Sequence, residues 1–369
     1  MDRRQFLATG ASVAVLGMAP KFAMAQQAQP DYYPADYGKI IEGSRAEGEV
    51  LLYSIMDDAR WTPLFDKFKA HYPWIAIKNA DLAPTEVLQR YMSESKAGSD
   101  TADVLNMNIM SSWKQLADAG ELADYKSPEA GHLPDWVPFA NVYPTALDHH
   151  VIIWNKKIIS DADAPKSMED LVKLAKANAF QNQKLTTYAV HLEPVGYLLS
   201  HALTAHHGEK AWQWFETLGP VTRPEASGGL MVEKVTVGEY AGAYLAPSGP
   251  VWKALLQPGR SDILGWSYIT DGTPVLMRAA GIPKKPKHPN AARLLLDFML
   301  SREGQIALAD SAPPVRSDIA QADVSANAHT YSSLVDVVGE KNVIQADFAP
   351  GVVENYDAFV KRWRAAYKV

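Results

Sequence analysis

The sequence predicts an α/β protein of two lobes, built on mostly parallel sheets with covering helices. Between residues 48 and 120, short apolar runs and amphipathic stretches alternate three times. That rhythm belongs to strands joined through helices rather than to hairpins or bundles. The chain has 369 residues, 47% of them hydrophobic, about twice the length of a typical domain and enough for two cores.

The first 25 residues stand apart. Arg3-Arg4, an apolar stretch from Phe6 to Ala19 and a small-x-small site at Ala23-Met24-Ala25 have the layout of a cleaved export signal. The apolar stretch is too short to span a bilayer as a helix. DRRQFL resembles a twin-arginine signal, with Ala8 where that pattern often has Lys. Removing 25 residues from 369 leaves 344, and the loss of Asp2, Arg3, Arg4 and Lys21 takes the formal charge from −6 to −8. An acidic product of this kind is a poor partner for nucleic acid or anionic membranes. With no cysteine, disulfides, lipid anchoring and thiol chemistry are excluded.

The mature chain opens with a Gln/Pro/Tyr-rich lead-in (26–45) carrying one short helix. GEVLLYSIM (48–56), WIAIKNA (74–80) and ADVLNMN (102–108) read as strands. Between and after them lie helical stretches. Residues 60–71 place Leu64, Phe65 and Phe68 on one face, 85–97 start at Pro84-Thr85 with Thr85 as cap, and 111–120 start at Ser111 or Ser112 and stop at Gly120. A long extended segment follows at 143–155, then a capped helix within 164–175 and a second helical region at 195–219. VEKVTVGEYAGAYLA gives helix, turn and strand, WSYITDGTPVLM (266–277) is extended, and HPNAARLLLDFMLSREGQIALAD (288–310) is a helical pair with Ala291, Leu295, Phe298 and Met299 on an apolar face.

Several stretches carry a family resemblance: GEVLLYS, TEVLQRYMSESKAGSDTADVL, WNKKII followed by APKSMEDL, VTVGEY, HPNAARLLLDFMLSREGQ and PPVRSD at 313–318. Together, over residues 46–318, they resemble the iron(III)-type branch of the extracellular solute-binding protein family 1, the periplasmic binding proteins of ABC importers with the type II fold. The resemblance implies two α/β lobes joined by a hinge around an interlobe ligand cleft, with lobe 1 at 46–145 plus 275–318 and lobe 2 at 146–274 plus 319–369. It further implies a periplasmic monomer that captures a small solute and hands it to the importer's membrane subunits, with no cofactor and no catalysis.

In such a cleft the ligand meets loops after strands and the N-termini of helices, whose free N–H groups suit anions. On the first lobe these are Ser54, Met56 and Asp57, then Pro84 and Thr85, then Asn108, Ser111 and Ser112. Thr85, Ser111 and Ser112 read equally as simple helix caps. On the second lobe they are Glu193, Val195, Gly196 and Tyr197 at a helix start, Arg223 and Ser227 around TRPEASGG, and Tyr244, Ser248 and Trp252. Arg223 has the fork that suits a carboxylate or phosphate, and reads equally as a surface arginine beside Glu225. These residues favour a small organic anion. Ferric iron is the alternative within transport, and an exported serine hydrolase is the alternative from another class, resting on S-x-x-K at Ser93–Lys96 and Ser111–Lys114.

No metal site is expected. His149-His150 are neighbours in an extended segment and point to opposite faces, and His206-His207 precede Gly208 at a helix end. In iron-binding relatives the segment that reads GEYAGAYLAPSGPVW (238–252) ends in a tyrosine pair, and here Pro247-Ser248 stand in that place. Tyr240 and Tyr244 do not replace it, being about 13 Å apart along a strand. Tyr32-Tyr33 is the one adjacent tyrosine pair in the sequence.

Overall fold

A computed structural model describes residues 30–134, 136–137, 139–180, 182–346, 352 and 354–369. The export signal expected at 1–25 lies outside them. The elements run α1 (Gly38–Glu47), β1 (Glu49–Ser54), α2 (Asp58–His71), β2 (Ala76–Asp81), α3 (Pro84–Ala97), β3 (Val104–Met107), α4 (Met110–Asp118), β4 (Val142–Asn155), α5 (Met168–Lys176), β5 (Leu185–Tyr188), α6 (Pro194–His207), α7 (Glu209–Leu218), β6 (Thr222–Glu225) and α8 (Gly228–Thr236). Then follow β7 (Gly242–Pro247), α9 (Ser248–Leu255), β8 (Leu264–Ser267), β9 (Thr273–Gly281), α10 (Pro289–Leu300), α11 (Arg302–Leu308), α12 (Tyr331–Val338), β10 (Val343–Gln345) and α13 (Tyr356–Tyr367). Among the described residues no helix is long and apolar enough to cross a membrane.

The strands run β2-β1-β3-β9-β4-β7-β5-β6, with β10 on β9 and β8 on β4. β1 pairs parallel with β2 and β3, and β5 pairs parallel with β6 and β7. The first is the parallel sheet that the strand–helix rhythm of 48–120 predicts; in the second, β5 and β6 are strands that the sequence did not mark. β4 joins the two sheets. Its first half, Val142 to His149, lies antiparallel to β9, and its second half, from His150, lies antiparallel to β7 and β8. Both faces of β4 are covered, which is why VYPTALDHHVIIWN lacks the alternation of a half-exposed strand. β10 lies in the stretch 319–369 and adds to β9 at Thr273 to Val275.

Three sequence expectations change in detail. WSYITDGTPVLM is two strands, because Asp271-Gly272 make a turn; the Asp271 carboxylate accepts from the N–H groups of Met168 and Glu169, and Gly272 has φ 150°. The helical region 195–219 breaks into α6 and α7 at Gly208, which has φ 59°. TRPEASGG, which by sequence reads as a loop flanked by Arg223 and Ser227, begins as an edge strand over Thr222–Glu225, an edge being the place where Pro224 costs no ladder bond.

The lead-in is fastened down. Tyr37 Oη and Tyr125 Oη donate to Asp297 Oδ2 at 2.6 and 2.5 Å, and Ser127 Oγ donates to Oδ1 at 2.6 Å. Beside them Tyr33 and Tyr32 donate to Glu129, which also pairs with Arg316 at 2.5 Å. Asp297 thus sits on a helix buried on nearly every side. Burial pushes its carboxyl from 3.8 up to about 7, against the pull of the three hydroxyls.

A carboxyl whose folded pKa lies above its unfolded one holds its proton in the fold. Its contribution to stability is therefore lost as pH rises through that interval, a loss of order 4 kcal/mol when complete. Melting temperature is expected to fall less steeply between pH 4 and 7 in Asp297→Asn than in the wild type, as followed by calorimetry. An identical slope would place the proton elsewhere.

Candidate ligand cavity

A cavity of about 740 Å³ lies where the starts of three helices meet. Pro84 and Thr85 come from the start of α3 after β2, and Asn108, Ile109, Met110 and Ser111 from the start of α4 after β3. Glu193, Pro194, Val195, Tyr197 and Leu198, at the start of α6, follow β5 of the second sheet, and Gly196 is not among the lining residues. Ends of parallel strands and the helix mouths that follow them are where α/β sheets bind ligands.

Neither α3 nor α4 has a side-chain cap: Ala83 and Ile109 occupy the cap positions. Thr85, Ser111 and Ser112 are therefore not the caps the sequence suggests but residues of the first turn. At α4 the first-turn N–H groups keep no side-chain acceptor, the feature that makes a helix start attractive to an anion, whereas at α3 the Glu86 carboxylate accepts from Ala83 N–H at 3.1 Å and the Thr85 N–H is left. α6 differs, since Glu193 caps it and accepts a long bond, 3.4 Å, from Val195 N–H. The charged side chains lining the cavity are Glu193 and Lys114, and Lys114 is already paired with Asp118 at 2.7 Å. That pair holds the lysine of the Ser111–Lys114 motif on the acidic side chain one turn on. The rest of the wall is largely apolar, including Leu192, Leu198 and Leu276.

The structure thus brings together Thr85, Asn108, Ser111, Glu193 and Tyr197. Tyr197 is almost buried; its hydroxyl donates to the Val352 carbonyl at 2.5 Å, and burial pushes its pKa to about 12. Ser112 lies in a smaller adjoining hollow with Thr85 and Ser111. Residues that the sequence did not single out include His191, two residues before Glu193, and Phe139, Leu276, Val352 and Tyr356, brought in from distant segments.

The other expected contacts lie elsewhere. Ser54 is fully buried at the end of β1, accepting from Trp61 Nε1 at 2.9 Å and lying 2.8 Å from Asn79 Oδ1. Asp57 caps α2 through Arg60 N–H at 2.9 Å, and Ser227 caps α8. Arg223 is exposed on the edge strand β6. Tyr244 is a correction: it faces the core of the second lobe, its hydroxyl 3.2 Å from Thr222 Oγ1 and 2.7 Å from Tyr367 Oη. Ser248 is buried at the first position of α9. Trp252 stacks on His329 at 3.8 Å, with His149 edge-on at 5.7 Å, away from the cavity lining.

The histidines behave as their neighbours dictate. His149 and His150 are buried on opposite faces of β4, and burial lowers their pKa values to about 3 and about 4. Among the described residues no group of three or more His, Cys, Asp or Glu is arranged to hold a metal ion. The adjacent tyrosines Tyr32 and Tyr33 are both engaged by Glu129.

A family model described as bacterial extracellular solute-binding protein matches residues 54–306. The chain belongs to this family of bacterial extracellular solute-binding proteins. A comparison with curated proteins finds no match. Among solved structures, the solute-binding protein is similar to the substrate-binding protein of an ABC transporter from Agrobacterium tumefaciens, with 21% identity, 86% of this chain and 94% of that one covered, and a TM-score of 0.68. It is also similar to iron-bound HitA from Pseudomonas aeruginosa (18% identity, 86% and 99% covered, TM-score 0.64). A third is AfuA from Actinobacillus pleuropneumoniae with fructose-6-phosphate bound (17% identity, 88% and 99% covered, TM-score 0.62). At these identities the likeness shows the fold: a type II binding protein of two lobes. Ligands differ among these relatives, so the solute has to be argued from this chain's own residues.

Because Tyr244 is a core residue, Tyr244→Phe is expected to lower unfolding free energy by about 1 kcal/mol, the worth of one buried hydrogen bond. Denaturant titration reads that loss. Solute affinity by calorimetry is expected to stay unchanged, and a tenfold drop would return Tyr244 to the site.

Proposed function

We propose that this solute-binding protein captures a small organic anion in the cavity between α3, α4 and α6 and delivers it to the membrane subunits of an ABC importer. The observation that carries the reading is the meeting of the starts of α3 and α4, from the first sheet, neither with a side-chain acceptor at its cap residue, with the start of α6, from the second, around one largely apolar cavity. Uncapped N–H groups favour the negative end of a ligand, and the apolar wall favours a carbon skeleton. Lobes of 46–145 plus 275–318 and of 146–274 plus 319–369 would close on it. Closure follows when the solute binds the closed form better than the open one. Periplasmic location and action by binding rather than catalysis fit the family, and a monomer is the expected form.

Ferric iron is the second reading, favoured by the likeness to iron-bound HitA. Against it stands Pro247-Ser248 where the tyrosine pair of iron-binding relatives is expected, with Tyr244 buried and its hydroxyl engaged. Iron bound through phenolates absorbs visible light. Titration with ferric citrate is expected to give no such charge-transfer band; its appearance would reinstate iron.

The principal test is a thermal-shift screen against metabolites, because a ligand that binds only the folded state raises its melting temperature. Organic anions are expected to dominate the hits. Small-angle scattering with a tight hit should show a smaller radius of gyration, and an unchanged radius would remove the clamp mechanism.

A further inference from the structure

Beyond the cavity wall, along β9, lies one pair of charges that the sequence did not single out. β9 contributes Leu276 to the cavity. Side chains alternate along a strand, so Arg278 lies on the same face, two residues and about 6.6 Å further along. Asp148 stands opposite Leu276 in the β4–β9 register, and Arg278 grips it in a two-pronged pair: Nε donates to Oδ2 at 2.9 Å and Nη2 donates to Oδ1. Among the described residues the third arm of the fork, Nη1, meets only the thioether of Met56, at 3.0 Å. Sulfur is a weak acceptor on a flexible side chain.

A second guanidinium comes from α2. Arg60 is half-buried, and Nη2 donates to the Ser311 carbonyl at 2.9 Å, which fixes the plane of the fork. Among the described residues Arg60 has no ion pair and no other side-chain hydrogen bond. Burial and the neighbouring Arg278 both press against its charge; Asp148, Asp57 and Asp81 act the other way. Asp57 is committed to capping α2, and His150 on the Asp148 side of β4 is held neutral by burial. The two cations therefore share Asp148 as the carboxylate in direct contact, through Arg278, while the exposed Asp81 acts on Arg60 without an ion pair among the described residues. Burying such an excess is costly unless an anion completes it.

We propose that Arg60 and Arg278 form the subsite that takes the solute's anionic group, a carboxylate or a phosphate, with Asp148 as the resident carboxylate that orients Arg278. The subsite deepens the organic-anion reading and rests on it. The incoming oxygens bond to the free N–H groups of Arg60 and displace Met56 from Nη1 of Arg278. Planar forks of this kind match carboxylate and phosphate geometry. Arg223, the arginine favoured by sequence, lies outside the arrangement and serves as the control.

The test is isothermal titration and thermal shift of the wild-type protein with sodium succinate and with sodium phosphate, alongside a panel of uncharged solutes. At least one of the two anions is expected to bind the wild type; which one does separates a carboxylate from a phosphate subsite. Arg60→Gln is expected to weaken that binding at least 10-fold while leaving the unliganded melting temperature unchanged, and Arg223→Gln to leave both unchanged. Removing Arg278 alone would strand Asp148, so the paired change Asp148→Asn with Arg278→Gln is used, with the same loss expected; should that pair not fold, Arg60→Gln decides. Unaltered anion binding in Arg60→Gln overturns the proposal, as does failure of both anions to bind the wild type. If uncharged solutes bind wild type and Arg60→Gln alike, the subsite falls and solute binding stands. If nothing in the panel binds, the cavity reading falls with it.

Discussion

Backbone pairing along β4 is the constraint on which everything else depends. Fourteen residues serve two sheets, with the change of partner between His149 and His150. A strand covered on both faces wants apolar residues, yet its middle reads Asp148-His149-His150. Each polar group survives there by a specific device. Asp148 is matched by Arg278, with desolvation opposing and the guanidinium favouring its charge. The two histidines stay neutral because burial penalises their protonated forms.

The cavity is a consequence of the same topology. Parallel strands leave their carboxyl ends on one side of each sheet, and the helices that follow begin there. Whether such a beginning can greet a ligand depends on its cap. Asp57, Ser227 and Ser167 close α2, α8 and α5 with their own oxygens. Ala83 and Ile109 have none to give, and their two helices line the cavity together with α6, which Glu193 caps.

Fold and cavity were unequally legible in the sequence. The rhythm from Glu49 to Asp118 is local, so each strand and helix there follows from its own residues. Five cavity residues, Thr85, Asn108, Ser111, Glu193 and Tyr197, were readable because they sit at strand ends and helix starts. Tyr244 was misjudged because the face a strand residue turns to a cavity depends on register, which sequence does not carry; the β4–β7 ladder has a bulge between Val151 and Ile153, and Leu245 has φ 57°. Phe139, Leu276 and Tyr356 reach the site only through tertiary packing. Arg60 and Arg278 looked like an ordinary helix residue and an ordinary strand residue, and their proximity is visible only once α2 and β9 are placed.

The tyrosines that fasten the lead-in set a limit on maturation. Glu129 and Asp297 are buried acids whose acceptors are filled by side chains reaching back from Tyr32, Tyr33 and Tyr37. A protease that trimmed past Tyr37 would uncover no surface loop; it would strip donors from two interior carboxyl groups. The fold thereby sets the furthest point to which the N-terminus can be cut back, upstream of Tyr32, whatever enzyme makes the cut.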